Sequence, residues 1–270
     1  MKSSASAGPS AGSQIAFFFV IALGGTWLLQ LPAVLAHRGI LPGTVSFYML
    51  PAALGGFSPL VAAVLAARRE TGRHGIPQLI RSLRPARLSP LWYLGAVLAF
   101  GAIHLAGVAG YRLFGAADRV RWLYLPATAQ HVVGMVLVPL AEEPGWRGYA
   151  LPRLQARFGP VRASLLLGVL WAAWHTMMFL FPGPSVFTFA IAMLNIIAGS
   201  IVFSWFYNRT DGSLLIAILA HVGAHLNNPG HAPLGNEAPL VVYTIAICLV
   251  GCALLVLDPT AWQKGQTQQP

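Results

Sequence analysis

Long apolar runs separated by short polar or basic stretches divide this chain into eight segments: 14–35, 45–67, 91–114, 123–141, 163–181, 185–207, 214–227 and 239–257. Most approach the roughly 20 residues that a helix needs to cross a bilayer, and none shows the strict alternation of a half-buried strand. The pattern predicts an all-α fold, a polytopic membrane bundle of about eight helices forming one domain over 14–257. The seventh segment is short, and the fourth is the least apolar of the first four. Residues 1–13, rich in Ser, Ala and Gly, read as a disordered tail, and 258–270 as a second, polar one. The opening segment has no short apolar core followed by a small-residue cleavage site, so it reads as a retained helix rather than a signal peptide. Between the second and third segments, Ile76, Leu79, Ile80 and Leu83 fall at helical spacing in a basic stretch, the pattern of a helix lying on the membrane surface. Pro182-Gly183-Pro184 predicts a tight turn, and 208–213 a polar turn with helix-capping residues.

Composition strengthens the membrane reading. Hydrophobic residues are 56% of the chain and charged ones 9%, against about 25% charged in an average soluble domain. The net charge of +10 would suit nucleic acid if it formed a patch. The basic residues lie instead in the loops between apolar runs, where they set orientation, so no nucleic-acid partner is expected. With the amino terminus in the cytoplasm, thirteen of the 17 Lys and Arg residues fall on the cytoplasmic side. The bias therefore predicts an integral protein of the plasma membrane with both termini cytoplasmic. Cys248 and Cys252, four apart in one apolar segment, read as packing residues rather than a disulfide framework.

Only seven residues are acidic, and two of them, Glu142 and Glu143, stand together at the end of an apolar run. Ionisable groups at membrane depth are costly, about 2.5–3.5 kcal/mol on insertion scales, and default to function. On a helix, Glu143 and Arg147 stand four apart and can pair, which leaves Glu142 for chemistry. At 1.5 Å per residue, Glu142 lies about 8 Å in from Arg147 at the cytoplasmic rim, His175 about 18 Å in from Ala163 and His221 about 12 Å in from Ser213. All three fall in the cytoplasmic half, on helices entering from one side, so a shared polar active-site cavity is expected there. His221 and His225, at i and i+4, share a face and are either packing residues or a candidate metal pair. His104, His131 and Asn195 read as interhelical hydrogen-bonding residues.

These residues resemble a known family. Glu142-Glu143-Pro-Gly-Trp-Arg147 is similar to the first motif, Glu-Glu-x-x-x-Arg, of the CPBP intramembrane proteases, the CAAX prenyl protease (type II) and bacteriocin-processing, or Abi, group. Trp171-Ala-Ala-Trp-His175 resembles their second motif, an aromatic four residues before a histidine. His221-Val-Gly-Ala-His225 resembles the third, His-x-x-x-Asn, with a histidine where the family has asparagine. The likeness covers about 125–230, the expected protease core. It implies an endopeptidase that cleaves a membrane-associated or lipidated protein or peptide within or beside the bilayer. Glu142 is then the base that activates water and His175 its partner. His221 and His225 are oxyanion donors or metal ligands, and Glu143 and Arg147 give support. The family is called a metalloprotease family, so Zn2+ held by Glu142, His175 and His221 is one expectation; a metal-free glutamate mechanism fits the same residues. Two rivals from other classes are a non-proteolytic immunity or regulatory protein that keeps the fold, which the His225 departure favours, and a small transporter using the acids as a proton relay. No inverted repeat supports the last.

Overall fold

The computed structural model describes residues 11–83, 87–114, 120–180, 185–232 and 236–263. The 182–184 turn, most of the expected amino-terminal tail, and Lys2, Arg84, Arg119 and Lys264 lie outside these. Among the described residues the fold is helical throughout, with no strand. Every one of the eight predicted segments contains a helix. They are α1 (Ala11–His37), the pair α2 (Val45–Gly55) and α3 (Ser58–Thr71), α5 (Pro90–Leu113), α6 (Ala129–Gly145), α8 (Pro160–Leu180), α9 (Val186–Arg209), α10 (Leu214–Leu226) and α11 (Ala238–Leu257). Two short helices complete the order, α4 (Gly75–Arg81) in the basic stretch and α7 (Leu151–Phe158) after α6.

The count of membrane-crossing helices is lower than expected. Six described helices are long and apolar enough to span a bilayer: α1, the α2–α3 unit, α5, α8, α9 and α11. The other two, α6 and α10, have 17 and 13 residues. The fourth segment is shortened because residues 123–128 run outside any helix. There Asn227, just past α10, accepts the Tyr124 N–H at 2.7 Å and donates to the Trp122 carbonyl at 3.1 Å. A backbone clamped from the side in this way cannot also close helical hydrogen bonds. The shorter pair are the helices that carry Glu142, Glu143, His221 and His225. α6 buries its last turn, 141–145, and α10 most of one face, while the longer helices turn large apolar side chains outward, such as Leu28, Leu91 and Val256 at 74–76% exposure. A surface of that character suits lipid, not water, and the chain is an integral membrane protein.

Three boundaries differ from the sequence reading for local reasons. Helix α1 begins at Ala11, inside the expected tail, because Gln14 and Phe18 are already buried in the bundle. The basic connector 147–162 is helical, a π-helical turn at Trp146–Ala150 leading into α7. Pro139 and Pro144 lie inside α6, and a proline removes an amide donor and so disturbs the ladder where the π turn begins. The carboxyl-terminal tail starts docked rather than free. Ala261 and Trp262 are buried beside Ile201, and the Trp262 indole donates to the Leu254 carbonyl at 3.0 Å.

Small residues let the inner helices approach closely. A Cβ on Gly145 would come within 2.6 Å of the Pro59 carbonyl oxygen, and one on Gly223 within 2.2 Å of that of Val97. Glycine is therefore required where α6 crosses α3 and where α10 crosses α5, each two residues from a candidate site residue. Contacts among helix ends agree with the alternating topology. Arg153 pairs with Glu70, and Arg209 with Asp258. Arg38 donates to the Leu180 carbonyl, and Ser185 to Glu237. Each contact joins two ends that the topology puts on one side.

Candidate active site

Glu142 and Glu143 sit in the last turn of α6, 3% and 0% exposed. Arg147, expected at the membrane rim, is instead wholly buried. The reason is the helical continuation through 146–158, which carries the chain end past it and moves the rim further out. Glu142, whose depth is counted from Arg147, therefore lies deeper than about 8 Å.

The two carboxylates have separate partners. Glu143 Oε1 accepts from Arg147 Nη1 at 2.9 Å and from His221 Nδ1 at 2.8 Å. The guanidinium stands over the rings of Trp171 and Phe203, 4.6 and 4.7 Å from their centroids, and its Nη2 reaches Ser200 Oγ at 3.4 Å. Glu142 Oε2 accepts two indole N–H groups, from Trp171 at 2.8 Å and from Trp146 at 3.2 Å. The expected pairing of Glu143 with Arg147 is present. His221 joins that pair rather than the other carboxylate, which the sequence does not reveal because i, i+4 arithmetic sees one helix at a time.

His175 is linked to Glu142 through Trp171. Its Nδ1 lies 2.8 Å from the Trp171 carbonyl, while the Trp171 indole donates to Glu142. A carbonyl only accepts, so Nδ1 carries the hydrogen and Nε2 keeps its lone pair. The same logic applies to His221, whose Nδ1 faces a carboxylate. Neutral His175 and His221 therefore both offer basic Nε2 atoms, and either must be doubly protonated before that nitrogen can donate. His225 stacks on His221, with centroids 5.1 Å apart and planes 14° from parallel. Trp171 touches both catalytic candidates, its ring 5.5 Å from each of His175 and His221. Sequence alone reads it as a packing aromatic; the signal available is its place four residues before His175.

The remaining candidates keep packing roles. Asn195 on α9 donates to Thr244 Oγ1 on α11 at 3.2 Å. His104 Nε2 contacts the Arg121 carbonyl at 3.1 Å, so its partner is loop backbone rather than another helix. Asn227, one of two asparagines near the third motif, is used up in its clamp on 122–124.

The acid–histidine cluster does not line either of two apolar cavities found among the described residues. One of about 680 Å³ lies between α5 and α9 around Trp92 and Trp205. The other, about 200 Å³, lies between α1, α2 and α8 around Gln30 and Met177. Among the described residues, no three His, Cys, Asp or Glu side chains are gathered as a metal-ligand set. Glu142, His175 and His221 each spend one polar atom on another protein group.

A helical membrane bundle that brings two buried carboxylates on α6 close to His175 on α8 and to His221 and His225 on α10 belongs to the class of polytopic proteins with a polar site among their helices. The comparisons narrow the class. A family model described as Type II CAAX prenyl endopeptidase Rce1-like matches residues 122–227. CAAX prenyl protease 2 of Methanococcus maripaludis is 29% identical over 133 residues, 46% of this chain and 48% of that protein. The match thus spans about half the length of that curated relative. Over residues 122–227 the chain is similar to the type II CAAX prenyl endopeptidase Rce1-like proteins, and the resemblance of the motifs is borne out.

Proposed function

We propose that this protein is an intramembrane endopeptidase that hydrolyses a peptide bond in a membrane-associated or lipidated protein or peptide. The observation that carries the reading is the buried Glu142 carboxylate, held by two indole donors beside His175 and His221, inside the segment that matches the family. Both donors fall on Oε2, which orients the carboxylate and leaves Oε1 to a water. Glu142 takes a proton from that water as it attacks the scissile carbonyl, and later passes the proton to the leaving amine. Neutral His175, its Nε2 lone pair available, shares that proton. His221, fixed by Glu143, orients the stacked ring of His225, whose N–H serves as the oxyanion donor. A prenylated CAAX tail is the substrate class the family relative suggests.

The zinc expectation separates from this mechanism through His225→Asn. Asparagine offers an amide N–H but is a poor zinc ligand. Cleavage of a tagged membrane peptide by His225→Asn should stay within about threefold of wild type, and a chelator should do little. Stoichiometric zinc in the purified wild type, lost with activity in the variant, would move the mechanism to a metal.

The charge bias supports cytoplasmic termini, and thiol labelling tests it. In a background lacking Cys248 and Cys252, Arg68→Cys should react only from the cytoplasmic face and Arg38→Cys only from the other. Labelling of both from one face would reject the alternating topology.

A further inference from the structure

Helix α9 carries Ser200, Ser204 and Asn208 at intervals of four, so all three lie near one face, about 6 Å apart along the axis. That face follows the segment leading away from the site. Arg147 bonds Ser200 and Gln155 bonds Asn208, the second at 2.8 Å, with the same offset of 53 residues in each pair. The two helices therefore run parallel in register, which sets Leu151 level with Ser204. Ser204 and Arg147 are 0% exposed and Asn208 7%. Yet Ser204 Oγ, Asn208 Nδ2, Arg147 Nε and Glu143 Oε2 have no hydrogen-bond partner in the protein. Four orphaned buried polar atoms on two segments tied together by these bonds are unusual, because such groups are normally satisfied by protein or by ordered water.

We propose that a file of internal water molecules occupies this face of α9 and connects the Glu143–Arg147 pair to the aqueous rim at Asn208 and Arg209. The spacing suits it. One water bridging two polar atoms spans about 5.6 Å, close to one step of the Ser200–Ser204–Asn208 ladder. The proposal rests on the hydrolytic reading for its purpose, since every turnover consumes a water that the apolar faces of the bundle do not supply. The file replaces that water and carries protons between the site and the aqueous phase.

The test uses the whole chain in neutral phospholipid nanodiscs and the isosteric pair Ser204→Thr and Ser204→Val, which differ by one hydroxyl. X-ray radiolysis generates hydroxyl radicals from bound water, and mass spectrometry reads which side chains they oxidise. Leu151, fully buried, should be labelled in wild type and Ser204→Thr and about fivefold less in Ser204→Val, as a site loses its polar partners. Ile247, buried in the apolar core, should stay unlabelled throughout. With a cleavable peptide, kcat should fall about tenfold in Ser204→Val but less than about twofold in Ser204→Thr, with KM unchanged in both. An unlabelled Leu151 in wild type, or equal labelling in the two variants, overturns the file. Loss of labelling in Ser204→Val with unchanged kcat overturns its role in turnover. If wild type cleaves no peptide, the labelling result still decides the water file, and only the proteolytic reading fails.

Discussion

Glu142→Gln is expected to remove peptide hydrolysis, by at least about a hundredfold, while the protein keeps its fold, because a positioned general base contributes roughly 10²–10⁴ in rate. The isostere retains an amide oxygen that can accept both the Trp146 and Trp171 indole donors now on Oε2. What it loses is the ability to take a proton from water. Hydrolysis of a tagged membrane peptide, read beside size-exclusion and thermal melting of the same samples, checks both halves. A Glu142→Gln enzyme with wild-type turnover would mean that Glu142 is not the base. A wild type that folds, binds peptide and never cleaves it would favour the immunity or regulatory alternative.

Glu143→Gln is expected to act on stability instead. Its carboxylate answers both Arg147 and His221 in a site where Glu143 and Arg147 are fully enclosed. Removing one partner of a buried ion pair costs about 3–5 kcal/mol, because the other charge stays desolvated and unmatched. Arg147→Met should cost a similar amount. The double variant should recover at least half of the loss, since neither member of the Glu143–Arg147 pair is then left without the other, and the amide oxygen introduced by Glu143→Gln still accepts from His221. Unfolding in detergent mixtures measures all three. Additive losses would show that the pair is not coupled and that the guanidinium is held chiefly by Trp171, Phe203 and Ser200.

The residues differed in how openly they announced their roles. Glu142, Glu143 and Arg147 stood out because charge is rare in this chain and because i, i+4 spacing brings Glu143 to Arg147 on any helix. His175 and His221 were visible as polar residues on apolar runs. Trp146 and Trp171 were not, since an indole in a membrane segment looks the same whether it packs or donates to a carboxylate. The burial of Arg147 was equally hidden. A basic residue before an Arg-rich stretch marks the membrane rim by composition, and only the π turn and α7 continuing beyond it reveal otherwise.

By itself the sequence determined the helical class, the eight apolar segments, the pairing of helix ends by side and the motif residues, because all of these follow from composition and from the period of one helix. The tertiary structure alone decided which six segments are long enough to span, that His221 answers Glu143 rather than Glu142, and that Trp171 links Glu142 to His175. Those facts depend on distances between helices, set where Gly145 and Gly223 let backbones meet and where Asn227 holds residues 122–124 out of a helix. No periodicity along a single segment encodes the rotation and depth of its neighbours.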